Sequence, residues 1–166
     1  KFNLTINMVK EKDKILDTGG GVLNAIGYFL SDPFLIINPD TIWNSYYLKE
    51  LKLMEKSFFE NKKNKCFLLV VNKEKSFDQS FKGDFNLKNN LINRKHSDNL
   101  KYIYTGLQII KPKVFSGNDA KVFSINKIWD KLIERNELHG MESNIDFLHV
   151  STLNIYKNLL KKKFKH

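Results

Sequence analysis

Hydrophobic positions along the chain recur with two different periods. Apolar positions repeat at three- and four-residue steps in 22–30, 46–61, 125–133 and 153–160, which predicts amphipathic helices. Apolar runs of strand length occupy 34–38, 66–72 and 102–110, and shorter patterns at 2–7 and 146–150 predict two further strands. Because predicted helices and strands alternate, the chain is expected to form an α/β fold with a Rossmann-like mixed, mostly parallel sheet flanked by helices.

The residues between Asn72 and the predicted strand 102–110 show neither a helical repeat nor one long apolar run. Residues 82–87 and 90–92 are separated by Lys88-Asn89, which predicts a short hairpin. Gly106 interrupts the long predicted strand 102–110 and marks either a bulge or a close approach of backbone or ligand. A length of 166 residues with 42% hydrophobic content fits a single domain covering 1–166.

A glycine run and a strand-end carboxylate form the most informative motif. Gly19-Gly20-Gly21 leads into a predicted helix, and the following apolar strand ends at Asn38-Pro39-Asp40. Glycines admit a close backbone approach, and a helix start favours phosphate. In open α/β sheets ligands bind beyond the carboxyl ends of strands, so Asp40 is well placed to hold Mg²⁺ against phosphates. The alternatives are a tight turn for the glycines and a turn former or helix cap for Asp40.

Net charge and composition limit the classes of binding partner that we expect. The formal net charge of +10 would attract nucleic acid, anionic lipid or phosphorylated small molecules. Arg94 and Arg135 are the only arginines, and lysines are scattered through every segment, so we do not expect a nucleic-acid partner. No apolar stretch approaches the length of a bilayer span and no secretory signal is visible, which predicts a cytoplasmic protein without a membrane partner. Cys66 is the single cysteine and is expected in the core.

Two further motifs complete a recognisable succession. Gly83-Asp84-Phe85 and Tyr104-Thr105-Gly106-Leu107 follow the Thr-Gly-Gly-Gly helix start and the strand-end Asn-Pro-Asp. This succession resembles the sugar-1-phosphate nucleotidyltransferases over nearly the whole chain. Within that family it is most similar to the N-acetylmuramate-1-phosphate uridylyltransferase and mannose-1-phosphate guanylyltransferase branch. The resemblance implies the nucleotide-diphospho-sugar transferase type of fold.

The resemblance also implies a reaction and a site. A sugar 1-phosphate would attack the α-phosphate of UTP or GTP, releasing pyrophosphate and leaving a nucleoside diphosphate sugar, with Mg²⁺ as cofactor and no covalent enzyme intermediate. Asp40 would be the catalytic residue that holds Mg²⁺. The nucleotide would lie against Thr18, Gly19, Gly20 and Gly21, and the sugar against Gly83, Asp84, Thr105 and Gly106. Asp84 is equally interpretable as a surface residue of the hairpin.

The chain departs from the family pattern at both ends. It lacks the initial strand and the glycine-rich phosphate loop with its basic groups, so we expect an N-terminally truncated copy that is inactive alone. Near the C-terminus His149 stands where the family has its second metal-binding Asp. Imidazole is a poor ligand for Mg²⁺, and His149 is alternatively a partly buried strand residue.

These departures leave a second function open. The chain would then be a non-catalytic relative that binds a nucleotide sugar or a partner protein. The missing strands would also leave a bare sheet edge, which predicts a homodimer or a poorly soluble chain.

Overall fold

A computed structural model describes residues 3–11, 14–94, 99–118 and 121–161. One six-stranded mixed sheet, in the order β1-β5-β2-β6-β4-β3, lies between helices. The strands are β1 (Phe34–Ile37), β2 (Cys66–Asn72), β3 (Asn86–Lys88), β4 (Leu91–Asn93), β5 (Tyr102–Ile110) and β6 (Leu138–Ser143). The helices are α1 (Asp17–Ala25), α2 (Tyr47–Glu60), α3 (Asn126–Glu134) and α4 (Leu153–Lys161). The mixed α/β architecture is therefore as the sequence predicts.

Strand β2 is the buried centre of the sheet. Its apolar run packs on both faces because successive side chains of a strand point to opposite sides. Cys66, Leu68 and Val70 join one core cluster with side chains of α1 and α3, whereas Phe67 and Leu69 join a second cluster with α2. The helices thus cover both faces of the sheet.

Most strands of the sheet run in the same direction, as the sequence predicts. Most neighbouring strands, however, are antiparallel to each other. Within the described chain β2 and β6 are the one parallel pair of neighbours, and the other four pairings are antiparallel. Two of these pairings come from β5, which lies between β1 and β2 and runs opposite to both, and two come from β4, which runs opposite to β3 and β6. The N–H of Lys73 donates to the carbonyl of Lys101 at 2.9 Å, so β5 begins where β2 ends and must run back along it.

The expected strands at the two ends of the chain are corrected. Residues 3–7 have no regular secondary structure and pair with no strand of the described chain, and Phe2 lies outside the described residues. Residues 146–150 form two isolated bridges, Ser76 with Phe147 and Thr41 with His149, instead of a strand. Sequence periodicity missed β6, where His, Gly and Glu interrupt the apolar pattern.

Helix α1 begins earlier than the pattern predicts. The glycines lie inside its first turns, not in a turn before it, because the helix starts at Asp17. It ends at Ala25 and a 3₁₀ turn, Ile26–Tyr28, leads to the loop before β1. Among the described residues β1 pairs with β5 alone, so its other edge is open there, and Ile37 is 51% exposed. Across the described residues, none of the helices combines the length and the apolar character that a bilayer crossing requires.

Candidate functional site

A cavity of about 820 Å³ lies beside α1, where the carboxyl end of β1 meets β5 and the start of α3. Its apolar wall contains Ile36, Ile103 and Trp129. Its polar wall contains Thr18, Asn38, Asp84, Gln108, Ser124, Asn126 and His149. Several segments that are distant in sequence therefore supply hydrogen-bonding groups to one space, as ligand sites commonly do.

The exit of β1 brings Asp40 and His149 together. The N–H of Val150 donates to the carbonyl of Asp40, and the N–H of Ile42 donates to the carbonyl of Leu148, both at 2.8 Å. These two bonds flank the bridge between residues 41 and 149. His149 Nε2 consequently lies 3.1 Å from Asp40 Oδ2, with the His149 side chain 20% exposed and that of Asp40 47% exposed.

The ring of His149 is held by aromatic neighbours. Phe147 stacks on it with ring centroids 5.5 Å apart, and Phe81 meets it edge-on at 5.6 Å. Its Nδ1 is buried and has no hydrogen-bond partner in the part of the chain that the structure describes. The contact with Asp40 is thus the polar interaction that this imidazole makes.

A second carboxylate anchors the segment that carries His149. Asp78 is 7% exposed and its Oδ2 accepts a hydrogen bond of 2.7 Å from the Ser151 hydroxyl. Its Oδ1 accepts from the backbone N–H of Ser80 at 3.0 Å and from the Ser80 hydroxyl at 2.6 Å. The hydrogen bonds from Ser80 and Ser151 lower the pKa of Asp78. Because both oxygens accept bonds, Asp78 serves to fix this loop and is not free for a ligand.

The glycine run packs α1 against the segment that precedes α3. The N–H groups of Gly19 and Gly20 donate to the carbonyl of Phe123 at 2.9 and 3.0 Å, and the Thr18 hydroxyl accepts from the N–H of Ile125 at 3.0 Å. Gly19 and Gly20 are buried in this contact. Thr18 and Gly21 line the cavity, so the structure separates the four residues expected at the nucleotide into two pairs.

The four residues expected at the sugar are also separated. Asp84 lines the cavity, and its Oδ2 accepts a hydrogen bond of 2.9 Å from the N–H of Tyr104. Gly83 has a φ of +93° and is pressed against the backbone of Leu100. A positive φ of this kind favours glycine, which explains the Gly83-Asp84 sequence.

Thr105 and Gly106 lie on β5 and contact the segment 38–41 that follows β1. The Thr105 hydroxyl donates to the carbonyl of Leu69 at 2.9 Å, and the Thr105 carbonyl accepts from the Thr41 hydroxyl at 2.7 Å. The N–H of Asn38 donates to the carbonyl of Gly106 at 2.8 Å, and a Cβ on Gly106 would lie 2.8 Å from the Asn38 Cβ. The structure therefore places both residues as supports of the segment that carries Asp40.

Sequence reasoning missed the polar floor of the cavity. Gln108 is buried, and its Oε1 accepts from Trp129 Nε1 at 3.1 Å and from Cys66 Sγ at 3.2 Å. The rings of Tyr104 and Trp129 meet edge-on at 4.8 Å, and burial raises the pKa of Tyr104. A buried glutamine within an apolar strand is the one signal in the sequence that pointed to this network.

The site residues fit a divalent cation only in part. No group of three or more metal-binding side chains occurs among the residues described. Asp40 offers one oxygen, since the other faces His149. Mg²⁺ commonly takes one or two carboxylates and completes its shell with water and substrate phosphates. One carboxylate therefore suits a cation that arrives on a nucleotide better than a cation held by protein alone.

Comparison with known proteins gives relatives in sequence and in structure. No family model matches the chain. The N-acetylmuramate alpha-1-phosphate uridylyltransferase of Caulobacter vibrioides is 23% identical over 142 residues, which cover 84% of this chain and 58% of that protein. The chain thus spans little more than half the length of this relative.

Solved structures share the fold. A putative glucose-1-phosphate thymidylyltransferase from Bacillus anthracis superposes with a TM-score of 0.63 at 18% identity, covering 93% of this chain and 65% of that chain. The inositol-1-phosphate CTP transferase from T. maritima gives 0.66 at 17% identity, covering 84% and 58%. The resemblance predicted from the motifs is confirmed: in sequence and in fold this chain is similar to the sugar-1-phosphate nucleotidyltransferases.

Proposed function

We propose that this chain carries the nucleoside- and sugar-binding part of a sugar-1-phosphate nucleotidyltransferase that uses UTP or GTP. The observation that carries the proposal is that one cavity, of about 820 Å³, gathers several of the expected site residues. The cavity is lined by two residues of α1, by the residue that follows β1, and by one residue shortly before β3: Thr18, Gly21, Asn38 and Asp84. His149, the neighbour of Asp40, lines the same space. The similarity to a uridylyltransferase supports the same reaction class.

The lining suits a nucleoside and a sugar. Aromatic rings of Tyr104 and Trp129 offer apolar surface, and Asn126, Ser124 and Asp84 offer donors and acceptors for hydroxyl groups. Asp84 Oδ2 is engaged by the backbone, which fixes the carboxylate and leaves Oδ1 for a hydroxyl donor. Preformed polar groups of this kind position a substrate without a cost of reorganisation.

The charge of the cavity explains the proposed role of Mg²⁺. The described lining contains the carboxylates of Glu11, Asp17 and Asp84 but no Lys or Arg. A triphosphate in such a space needs a positive counter-charge, because like charges repel strongly in a partly desolvated site. Mg²⁺ on the nucleotide would supply that charge and polarise the α-phosphate. Asp40 would contact it through Oδ1.

The proposed reaction is a single displacement. A phosphate oxygen of the sugar 1-phosphate forms a bond to the α-phosphorus, while the bond from that phosphorus to the α–β bridging oxygen breaks. The electron pair leaves with pyrophosphate, so no residue forms a covalent intermediate. The chain contributes by orienting both substrates, which accounts for much of the rate in phosphoryl transfer. These substrates are metabolites of the cytoplasm, where we place the protein.

Pyrophosphate release tests the proposal. Each nucleoside triphosphate is incubated with Mg²⁺ and candidate sugar 1-phosphates, using the wild type, Asp40→Ala and Asp32→Ala. Asp32 is an exposed turn residue outside the cavity lining and serves as a matched control. Because the chain alone is expected to be inactive, the assay uses each variant fused behind a family phosphate-loop segment. In that fusion we expect release with the wild-type sequence and with Asp32→Ala, and none with Asp40→Ala. Release that persists in Asp40→Ala would remove Asp40 from the mechanism.

A non-catalytic relative that binds a nucleotide sugar or a partner protein is the second candidate. The lack of Lys and Arg in the described lining favours it, since nucleotidyl transfer develops negative charge on the leaving pyrophosphate. Saturation-transfer NMR with nucleoside diphosphate sugars separates the two. Binding without pyrophosphate release from any substrate pair would favour the second candidate. Absence of both binding and release would refute the first candidate.

A further inference from the structure

The backbone fixes the position of His149 against Asp40 from both sides. The bonds from Val150 to Asp40 and from Ile42 to Leu148 close a short antiparallel ladder around the pair. The hydrogen bond from Ser151 to Asp78 holds the next residue of that ladder to a different loop. These bonds hold the two residues beside each other, and their side chains meet with Nε2 3.1 Å from Oδ2.

No hydrogen bond of the imidazole to a group other than Asp40 occurs in the described structure, and the charge of the Asp78 carboxylate lies near enough to interact with the ring. Phe81 and Phe147 bound the ring, and Nδ1 is buried without a partner. A metal ion could reach His149 only at Nε2, which is the atom that faces Asp40. A shared metal between the two side chains would therefore have to break that contact.

The remaining oxygen of Asp40 stays open. Oδ2 lies 3.1 Å from His149 Nε2, no hydrogen bond to Oδ1 is found within the described residues, and the side chain is 47% exposed. A carboxylate held by one oxygen has lost the freedom to rotate about its last bond, so the direction of the other oxygen is fixed as well. Asp40 can therefore bind a cation through Oδ1 alone.

We propose that His149 is a positioning residue: it holds Asp40 by one oxygen, so that a divalent cation binds this site only together with a nucleoside triphosphate. The nucleotide half of this inference rests on the proposed function. The other half, the weakness of the site toward a free cation, depends only on the Asp40–His149 pair. Two separate measurements can therefore fail independently.

Water-proton relaxation with Mn²⁺ provides the readout without turnover. Mn²⁺ is titrated into the wild type, His149→Asp, His149→Gln, and the double variant Asp40→Asn/His149→Asp. We expect negligible enhancement in the wild type and in His149→Gln, whose amide can still donate to Asp40. His149→Asp places two carboxylates at the ladder and is expected to bind Mn²⁺ at least about tenfold more tightly. The double variant should lose that gain.

His139→Ala is the matched control, since His139 lies on β6 in a different pocket. It should behave as the wild type. Tight binding of free Mn²⁺ by the wild type that weakens in His149→Gln would make His149 a metal ligand and overturn the proposal. Absence of a gain in a folded His149→Asp would overturn it as well.

The nucleotide arm repeats the titration with UTP or GTP and no sugar phosphate. Enhancement above that of the Mn²⁺–nucleotide complex is expected in the wild type and should fall in Asp40→Asn. If enhancement is absent while His149→Asp still gains free Mn²⁺, the positioning role stands and the transferase function fails. Should His149→Asp not fold, ¹⁵N NMR of the wild-type ring decides: a proton on Nε2 that shifts in Asp40→Asn supports the contact, and an unchanged ring refutes it.

Discussion

Replacing Gly19 with alanine tests whether the glycine run serves the packing of α1. A Cβ built at Gly19 would lie 2.6 Å from Phe123 Cδ2 and 2.8 Å from the Phe123 carbonyl oxygen. Ordinary van der Waals contact begins near 3.4 Å. The helix must therefore move away from the segment before α3 by a sizeable fraction of an ångström. That shift would weaken the two hydrogen bonds that the Phe123 carbonyl accepts.

Three contributions set the expected magnitude. Overpacking costs about 1–3 kcal/mol. Two weakened backbone hydrogen bonds cost about 0.5–1.5 kcal/mol each. Alanine is favoured over glycine in a helix by about 1 kcal/mol, which offsets part of the loss. Together these contributions lower the free energy of unfolding by about 3 kcal/mol, within a range of about 1–5 kcal/mol.

Gly27→Ala is the matched control, because a Cβ on Gly27 meets nothing within 4 Å. It should leave the protein unchanged or stabilise it by about 0.5 kcal/mol. Urea unfolding followed by circular dichroism measures both variants. With a slope of about 2 kcal/mol per molar urea, Gly19→Ala should lower the midpoint by about 1.5 M. Equal midpoints for the two variants would refute the packing role. The expected contact with a nucleotide would then be the remaining explanation for the glycines.

Three further predictions concern pH, thiol reactivity and association. The lowered pKa of Asp78 means that its stabilisation is present above its ordinary pKa of 3.8 and is lost as the pH falls through the folded-state value. Asp78→Asn should thus be less stable than the wild type at pH 7 by about 1–3 kcal/mol, and thermal melts at falling pH should converge. Burial raises the pKa of Cys66, so its thiol should resist Ellman's reagent at pH 8 until urea unfolds the chain; rapid native labelling would contradict its core position. The open edge of β1 should make the wild type dimerise or aggregate in sedimentation, and Ile37→Lys should shift it toward monomer; a stable wild-type monomer would count against edge pairing.

Elements with a clean period were predictable from sequence. The patterns at 66–72 and 102–110 match β2 and β5 residue for residue, and α2 differs by one residue at each end. The hairpin is also present, but its turn is Asn89-Asn90, one residue later than expected. Both asparagines have positive φ, which this residue tolerates better than most, and that backbone preference decides the turn.

Elements decided by tertiary contacts were not predictable. β6 carries a glycine because Gly140 passes the Leu68 carbonyl so closely that a Cβ would lie 2.6 Å from the oxygen. This requirement weakens the apolar pattern that would have marked a strand. The placement of Asp40 beside His149 depends on the isolated bridge between residues 41 and 149 of two remote segments, which local sequence does not encode.

The hydrogen bond between Thr18 and Ile125 spans 107 residues of chain. Contacts of such sequence separation form only after most of the intervening chain is ordered, because closing a long loop costs entropy that early local structure cannot repay. The cavity depends on this contact and on the equally remote pairing of residues 41 and 149. It is therefore expected to assemble late in folding, after β2 and β5 have joined. A nascent or partly folded chain would have most of its secondary structure but not the cavity.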